Sequence, residues 1–557
     1  MWNYADWAAL IAALVLAGFL IAGAFALTRP REEVLGHPKG LYMLFFAEMW
    51  ERFSFYGMRA LLTLYLVKHW LYSDGSANLI YGAYGSLVYI TPVLGGWLAD
   101  RYLGQRKAVL FGAILLTAGH FFMAFEGDGS GYQNDPTLNI FWLALAFIIV
   151  GSGFLKANIS VLVGQLYPRT DVRRDGAYTI FYMGINLGAA TGVLIAAYLG
   201  ETVSWALGFG LAGIGMLLGL IVFIFGKALL RGNGEPPVPA KLKEKVAGVN
   251  LEWLLYGVGF AGVAVIWLLI QYQSLVGWLL LSSGIILLLY VLREAFKLDN
   301  EARDRVFAMI FFILLMPLFW GLFEQAGGSM NLFTDRFVDR GGIPTTFFQS
   351  LNPIIIILLA PLFAVLWQWL GRSGREPSTP AKMGLGIVQM GFAFVVLVWG
   401  ANNFSISREI EGEMVVLLPV LFLFLFYLLS TTGELCLSPV GLSAMNRLSV
   451  KHMASLMMAA FFFGTAGGQY VAGFLGSLMG EGEGGNMTRE AALEVYWTMG
   501  LVAVGVGFVV VLVSPLVKRL MHLDTLKDDS VDDDMLGQSE LGAPDAAGVN
   551  TSGEVRT

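Results

Sequence analysis

The chain has 557 residues, of which 57% are hydrophobic and 14% are charged, and its formal net charge is −6. Soluble domains contain roughly 45–50% apolar and about 25% charged residues, so this composition excludes a soluble globular protein and indicates a polytopic membrane protein. The negative charge and the lack of a basic cluster argue against a nucleic-acid partner. The one cysteine, Cys436, excludes an intrachain disulfide.

Apolar runs predict fifteen membrane-spanning helices. The first, at about 7–27, has no basic segment before it, which predicts a retained helix and not a cleaved signal. Six core runs follow, then a cytoplasmic linker rich in Gly and Pro, a nearly uncharged hairpin, and six more core runs. The predicted core runs are at about 41–68, 79–99, 107–126, 138–166, 176–199, 204–229, 305–333, 345–370, 382–400, 414–445, 454–479 and 493–520, and the hairpin is at about 251–271 and 275–293.

The distribution of basic residues predicts the orientation in the membrane. With the N-terminus outside and the C-terminus cytoplasmic, about 27 Lys and Arg fall inside, about 5 outside and 3 within the membrane, together the 35 of the chain. We therefore expect a multi-pass protein of a bacterial inner membrane.

The same pattern predicts an all-α membrane protein of two six-helix bundles with a site between them. The predicted divisions are an extra N-terminal helix and loop (1–38), a first bundle (39–230), a linker with an inserted hairpin (231–300), a second bundle (301–523) and a disordered acidic tail (524–557).

Four charges stand in the first core helix, where the sequence should lie in lipid. At roughly 100° per residue, Glu48, Glu51, Arg52, Tyr56 and Arg59 share one broad helix face. Each ionisable side chain at mid-bilayer costs about 2.5–3.5 kcal/mol on insertion scales, so these groups must face water, protein or each other. The stretch predicts a polar cavity with an internal network of ion pairs.

Three further charges are isolated within apolar runs: Lys156, Glu324 and Glu434. An acid opposite Arg or Lys can switch between an ion-paired and a protonated state. That switch is the physical requirement of a proton-coupled carrier, and we expect these residues to take part in it with the charges of the first core helix.

Three motifs resemble those of known families. The loop at 95–107, with Asp100, Arg101, Arg106 and Lys107, resembles the loop motif of the major facilitator superfamily. The segment Glu48-x-x-Glu-Arg-Phe-x-Phe-Tyr-Gly and the segment Phe181-Tyr-Met-Gly-Ile-Asn-Leu-Gly resemble the two signatures of the proton-dependent oligopeptide transporters. The resemblance runs from about 38 to 523, with the hairpin common in bacterial members. It implies a proton-coupled di- and tripeptide symporter of the major facilitator fold.

The resemblance also implies roles for single residues. Arg52 and Lys156 match the groups that hold the peptide carboxylate and pair with the glutamates of the first helix. Asn186 matches a contact to the peptide backbone, and Glu434 with Asn352 matches the receptor of the peptide amino terminus. Further matches to the binding cavity are Tyr56, Tyr89, Trp320 and Ser438. Arg59 and Glu324 match the pair that closes the outer side, with Glu324 as a leading proton site.

Two positions depart from the family pattern. Phe55 stands where many members have tyrosine, so a hydroxyl is expected to be missing from the cavity. Gly82 stands where animal members carry a histidine on the second helix, so proton coupling must run through carboxylates. The five histidines are predicted to have loop or packing roles: His37, His69, His120, His452 and His522.

Several alternatives differ from this reading. A family member could carry nitrate or a peptide-like drug, but an inorganic anion offers nothing for Glu434 to bind. A drug/proton antiporter is a second alternative within the superfamily. The sequence has no metal-ligand spacing, no Gly-x-Ser-x-Gly and no phosphate loop, which argues against an enzyme. We expect no cofactor beyond the proton gradient and no obligate protein partner; the expected partners are peptide, protons and membrane lipid.

Overall fold

A computed structural model describes residues 4–28, 32–127, 132–168, 171, 173–410, 413–449, 453–480 and 485–523. These residues fold almost entirely into helices, which confirms the prediction of an all-helical membrane protein. The tail predicted to be disordered, 524–557, lies outside the described residues, as does His452.

The first half of the chain forms an additional helix and six membrane crossings. The helices are α1 (Tyr4–Thr28), α2 (Lys39–Lys68), α3 (Asp74–Leu98), α4 (Gln105–Met123), α5 (Leu138–Gln165), α6 (Arg174–Thr191), α7 (Tyr198–Thr202) and α8 (Trp205–Phe225). A π-helical segment, Gly192–Ala197, joins α6 to α7, so these two helices make one crossing. A short antiparallel pair, β1 (Glu33–Val34) and β2 (His37–Pro38), precedes α2.

The second half contains the inserted hairpin and six further crossings. A small pair, β3 (Lys245–Val246) and β4 (Val249–Asn250), leads into the hairpin. The helices are α9 (Leu251–Leu269), α10 (Gln273–Ala295), α11 (Asn300–Phe323), α12 (Ser329–Phe337), α13 (Leu351–Arg372), α14 (Thr379–Asn403), α15 (Val420–Leu448), α16 (Ala454–Ser477) and α17 (Arg489–Leu520). Strands β5 (Val338–Asp339), β6 (Ile406–Ile410) and β7 (Glu413–Pro419) form a sheet of order β5-β7-β6.

Thirteen helical segments in the described part of the chain are long and apolar enough to cross a membrane. Two further long helices complete the fifteen predicted crossings: α2, which carries the four charges of the first core helix, and α16. We call the end of the bundle that carries 231–250 the linker end, and the opposite end the Asp74 end.

Two predicted helix boundaries are wrong. The predicted helix at 414–445 begins only at Val420, because 414–419 lies in β7, where Val415 and Val416 pair with β6 and Pro419 caps the helix. The predicted helix at 305–333 is broken after Phe323 by a 3₁₀ turn and two glycines. A Cβ on Gly327 would lie 2.1 Å from Tyr81 Oη, so the close approach of α3 requires glycine there.

The two halves meet most closely where α3 crosses α16. A Cβ on Gly82 would lie 2.7 Å from the Cα of Gly473, so the backbones touch at this crossing. Beside it, Ser86 Oγ donates a hydrogen bond to Ala466 O at 2.8 Å. Small residues allow such contact between membrane helices, and the buried hydroxyl satisfies a backbone carbonyl of the other half.

The hairpin contacts both halves. Helix α9 packs on α4 and α5, with the Phe111 and Tyr256 ring centroids 4.9 Å apart and Lys107 Nζ 2.5 Å from Glu252 Oε1. Helix α10 packs on α11 and α16, where Gly277 faces the Tyr470 ring, and it also touches α3. The hairpin therefore spans the boundary between the halves.

The additional helix α1 covers the back of α2. Phe19 stacks on Phe45 with ring centroids 6.3 Å apart, and Phe46 packs where Gly23 leaves space. At the Asp74 end, Tyr198 Oη donates a hydrogen bond to Asp6. Helix α1 therefore covers the apolar residues Phe45 and Phe46 of α2.

Candidate functional site

The charges of α2 form the predicted ion pairs. Arg52 Nε lies 2.6 Å from Glu48 Oε1 and 3.3 Å from Glu51 Oε2. All three side chains are at most 4% exposed. The first pair has the i, i+4 spacing of helix neighbours, so the helix itself positions these groups.

Lys156 lies beside aromatic rings in the C-terminal half of α5. Its Nζ is 4.0 Å from the Phe55 ring centroid and 5.0 Å from that of Tyr89. Both contacts are within the range of cation–π attraction, which is stronger for a desolvated ammonium group. Phe55 is 1% exposed, and its ring lies against this ammonium group behind the residues that line the cavity described below.

Glu324 joins the two halves through Arg59. Arg59 Nη2 lies 2.9 Å from Glu324 Oε2, and Nη1 donates to Oε1 at 3.4 Å. The carboxylate also accepts hydrogen bonds from Tyr81 Oη at 3.1 Å and from Gln469 Nε2 at 2.9 Å. The helix break after Phe323 places this carboxylate at the C-terminus of α11, where it faces α2 and α3.

Glu434 is held by a neighbour from α13. Asn352 Nδ2 donates to Glu434 Oε2 at 2.9 Å and to Thr431 Oγ1 at 3.0 Å. Asn352 stands in the first turn of α13 and Glu434 stands one turn before Pro439 in α15. One amide therefore ties the acid to a second helix of the same half.

One cavity between the halves collects most of the predicted residues. Its lining includes ten of the thirteen: Arg52, Tyr56, Arg59, Tyr89, Asn186, Trp320, Glu324, Asn352, Glu434 and Ser438. The other three, Glu48, Glu51 and Lys156, lie behind this lining among the described residues. Arg52 comes from the first half and Glu434 from the second, so the cavity carries opposite charges on opposite halves.

The position that matches the animal histidine has no room for a side chain. Gly82 lies against the backbone of α16, as described above, so a larger residue would push the two halves apart. The described histidines have the predicted packing and loop positions. His37 Nδ1 bonds Tyr167 Oη at 2.8 Å, and burial together with the Arg173 guanidinium lowers the pKa of His37.

Sequence reasoning missed several polar residues of the site. Tyr81 and Gln469 contact Glu324, and the cavity lining also contains Tyr182, Gln349, Tyr427 and Ser430. Tyr182 stands inside the second family signature, so that motif could have indicated it. Gln469 is a lone amide within a glycine-rich apolar run, and polar residues in such runs carry a functional signal.

The Asp74 end is closed by contacts between the halves. Arg336 donates two hydrogen bonds to the fully buried Asp74, at 2.6 and 2.8 Å, and the Met487 N–H donates a third at 2.5 Å. Glu201 accepts from the backbone N–H groups of Thr345 and Thr346 at 2.7 and 2.8 Å. These carboxylates belong to the first half and their donors to the second.

Asp74→Ala is expected to destabilise this closed arrangement by about 2–3 kcal/mol, because the Arg336 guanidinium and the Met487 N–H lose a shared acceptor. Thermal unfolding of the detergent-solubilised protein measures the effect. Lys68→Ala is the matched control, since the Lys68–Asp335 pair also joins the halves but its lysine is 41% exposed. Equal losses of stability in the two variants would contradict the importance of the buried contact.

Two six-helix halves around a buried, charged cavity define a multi-pass membrane transporter. A sequence profile of the POT family matches residues 106–490, and the chain belongs to this family. It is therefore a transporter of the major facilitator fold and not an enzyme, as the loop motif and the two signatures predict.

Individual relatives agree with this assignment. The chain is 35% identical to the uncharacterised transporter YclF of Bacillus subtilis, over 88% of this chain and 96% of that protein. It is 31% identical to the dipeptide and tripeptide permease A of Serratia proteamaculans, over 88% and 94% of the two chains. A crystal structure of a POT peptide transporter in complex with alafosfalin superposes with a TM-score of 0.75, at 34% identity, covering 90% of this chain and 99% of that one.

Proposed function

We propose that the protein is a proton-coupled symporter that imports di- and tripeptides by alternating access. The observation that carries the proposal is the placement of Arg52 and Glu434, from different halves, in the lining of one cavity. A short peptide is a zwitterion with its charges at opposite ends, and such a cavity is complementary to it. The dipeptide and tripeptide permease named above matches this chain over nearly its whole length, which supports the proposal.

The binding roles follow from this complementarity. Arg52, with Lys156 behind the lining, attracts the peptide carboxylate, and Glu434 with Asn352 receives the amino terminus. Asn186 and Ser438 supply polar contacts to the peptide backbone. The aromatic residues Tyr56, Tyr89 and Trp320 surround the side chains of the peptide, and their large apolar faces accept varied side chains.

Proton coupling is assigned to Glu324. Its ion pair with Arg59 joins the halves, so a proton on Glu324 removes the charge that holds Arg59 and weakens this closure. Release of the proton toward the cytoplasm restores the pair and resets the carrier. Glu48 and Glu51 form ion pairs with Arg52, and protonation of these carboxylates would weaken the pairs in the same way. A potential of about 100 mV adds roughly 2.3 kcal/mol per transferred charge, which drives accumulation.

In the proposed orientation, the protein lies in the inner membrane of a bacterium. The Asp74 end faces outside and the linker end faces the cytoplasm. The N-terminus is then outside, the C-terminus cytoplasmic, and lipid surrounds the helices. The two halves that rock against each other are 39–230 and 301–523, with 231–300 as the connecting unit. The excess of Lys and Arg at the linker end supports this orientation.

Uptake of labelled dialanine into proteoliposomes tests the proposal. We expect concentrative uptake under an inward proton gradient, collapse by a protonophore, and competition by unlabelled di- and tripeptides but not by free alanine or nitrate. Dialanine uptake of equal extent with and without the proton gradient would contradict proton coupling. Inhibition by nitrate alone would show that the substrate is an inorganic anion and that the peptide assignment is wrong.

A further inference from the structure

The carboxylate of Glu324 is surrounded by hydrogen-bond donors from both halves of the protein. Arg59 and Tyr81 come from α2 and α3 of the first half, whereas Gln469 comes from α16 of the second half, to which Glu324 itself belongs. Gln469 is 2% exposed and its Nε2 donates to Glu324 Oε1 at 2.9 Å. Glu324 is buried to the same extent, at 2% exposed.

The origin of each donor decides which contacts survive when the halves separate. Opening at the Asp74 end moves α2 and α3 away from α11, so the contacts from Arg59 and Tyr81 break. Helices α11 and α16 pack against each other within one half, so Gln469 remains beside Glu324. In the open state Gln469 is the donor that stays in reach of the carboxylate.

The chemistry of an amide suits a group that gains and loses a proton. The guanidinium of Arg59 can only donate, so it cannot accept the hydrogen bond from the O–H that forms when the carboxyl group takes up a proton. An amide donates through Nε2 to the carboxylate and, after a half-turn of its terminal torsion, accepts through Oε1 from the protonated acid. The incoming proton is then held between Glu324 and Gln469 without an unsatisfied buried group.

We propose that Gln469 is a positioning residue for the proton site, holding Glu324 in both of its protonation states. The inference rests on the proposed coupling role of Glu324 and adds the residue that orients it. Gln469 also lies against Gly85 of α3, where an added Cβ would be 2.5 Å from Gln469 Oε1. Rotation of the amide therefore changes the contact between Gln469 and α3, at the boundary between the halves.

Other polar groups also face Glu324, and they share its electrostatic environment. They are Arg59 and Tyr56 from α2, Tyr81 and Tyr89 from α3, and Glu434 from α15. A change confined to Gln469 leaves all of these in place. Gln469→Met keeps the length and volume of the side chain but removes the amide.

The test is the pH profile of proton-driven dialanine uptake by proteoliposomes containing Gln469→Met. A hydrogen bond to a charged acceptor is stronger than one to a neutral group, so loss of the amide favours the protonated acid. We expect the midpoint of the profile to move to higher pH by about 0.5 to 1 unit, with peptide exchange at equal pH on both sides retained. Gln389→Met, a matched change in α14, should leave the midpoint where it is.

A second variant separates the loss of the amide from any misfolding that methionine causes at this position. Gln469→Glu keeps the shape and places a second acid beside Glu324, so the two share a proton and the midpoint again moves upward. Unchanged midpoints in both variants would overturn the inference, and so would loss of peptide exchange in both well-folded variants, because the role would then be structural. If the unmodified protein shows no proton-driven uptake, the proposed function itself fails.

Discussion

Glu324→Gln is expected to abolish the concentrative uptake of dialanine while sparing its exchange across the membrane. Glutamine keeps the size of the side chain and can still bond Arg59, Tyr81 and Gln469, but it cannot release or accept a proton at this position. A potential of about 100 mV supports an accumulation of roughly 50-fold for one transferred charge, and the variant should lose all of it. Uptake and counterflow in the same proteoliposomes separate the two activities.

A carboxylate elsewhere in the same half provides the control. Glu376 pairs with Lys382 near the linker end and is 42% exposed, so Glu376→Gln should accumulate dialanine like the unmodified protein. Accumulation by Glu324→Gln at the unmodified level would show that Glu324 is not a coupling site. Loss of exchange together with accumulation would show that Glu324 is needed for peptide binding instead.

Glu434→Ala is expected to weaken the binding of dialanine about 10- to 100-fold. A hydrogen-bonded charged group contributes about 1.5–3 kcal/mol, and its removal leaves the peptide ammonium group without a counter-charge in a buried cavity. Asn352 loses one of its two acceptors and keeps its hydrogen bond to Thr431. Competition of unlabelled dialanine against labelled peptide measures the change in affinity.

The chemistry of the peptide ends makes this prediction specific. N-acetyl-dialanine lacks the ammonium group, so it should compete only weakly with labelled dialanine for the unmodified protein. Its affinity should change little in Glu434→Ala. Dialanine amide lacks the carboxylate and should lose affinity through Arg52 instead. If Glu434→Ala weakened dialanine and N-acetyl-dialanine by the same factor, Glu434 would not be the receptor of the amino terminus.

The sequence contained most of the fold because membrane crossings are encoded locally. Each apolar run of about 20 residues must form a helix to satisfy its backbone in lipid, so the positions of the crossings follow directly from composition. The errors occur where this rule does not apply. The run before Val420 is apolar and β-branched, which fits a strand and a helix equally, and only pairing with β6 and β5 decides between them.

The candidate site divides in the same manner. Charged residues such as Arg52 and Glu434 were found because a charge inside an apolar run needs a reason. Asp74 was missed because it stands at a helix end, where an acid is ordinary, and its partners Arg336 and Met487 are 262 and 413 residues away. Gln469 was missed because a neutral amide gives a much weaker signal than a charge, and no local pattern connects it to Glu324.

The inserted hairpin has a mechanical consequence. Its first helix packs on the first half and its second lies mainly on the second half; the link at 270–272 joins them, and they make few contacts with each other. When the halves rock as proposed, the two helices of the hairpin, each packed mainly on a different half, must move relative to one another where their side chains face lipid. Motion at the central cavity is thereby transmitted to the surrounding bilayer, and the work of rearranging that lipid becomes part of the free-energy difference between the two conformations.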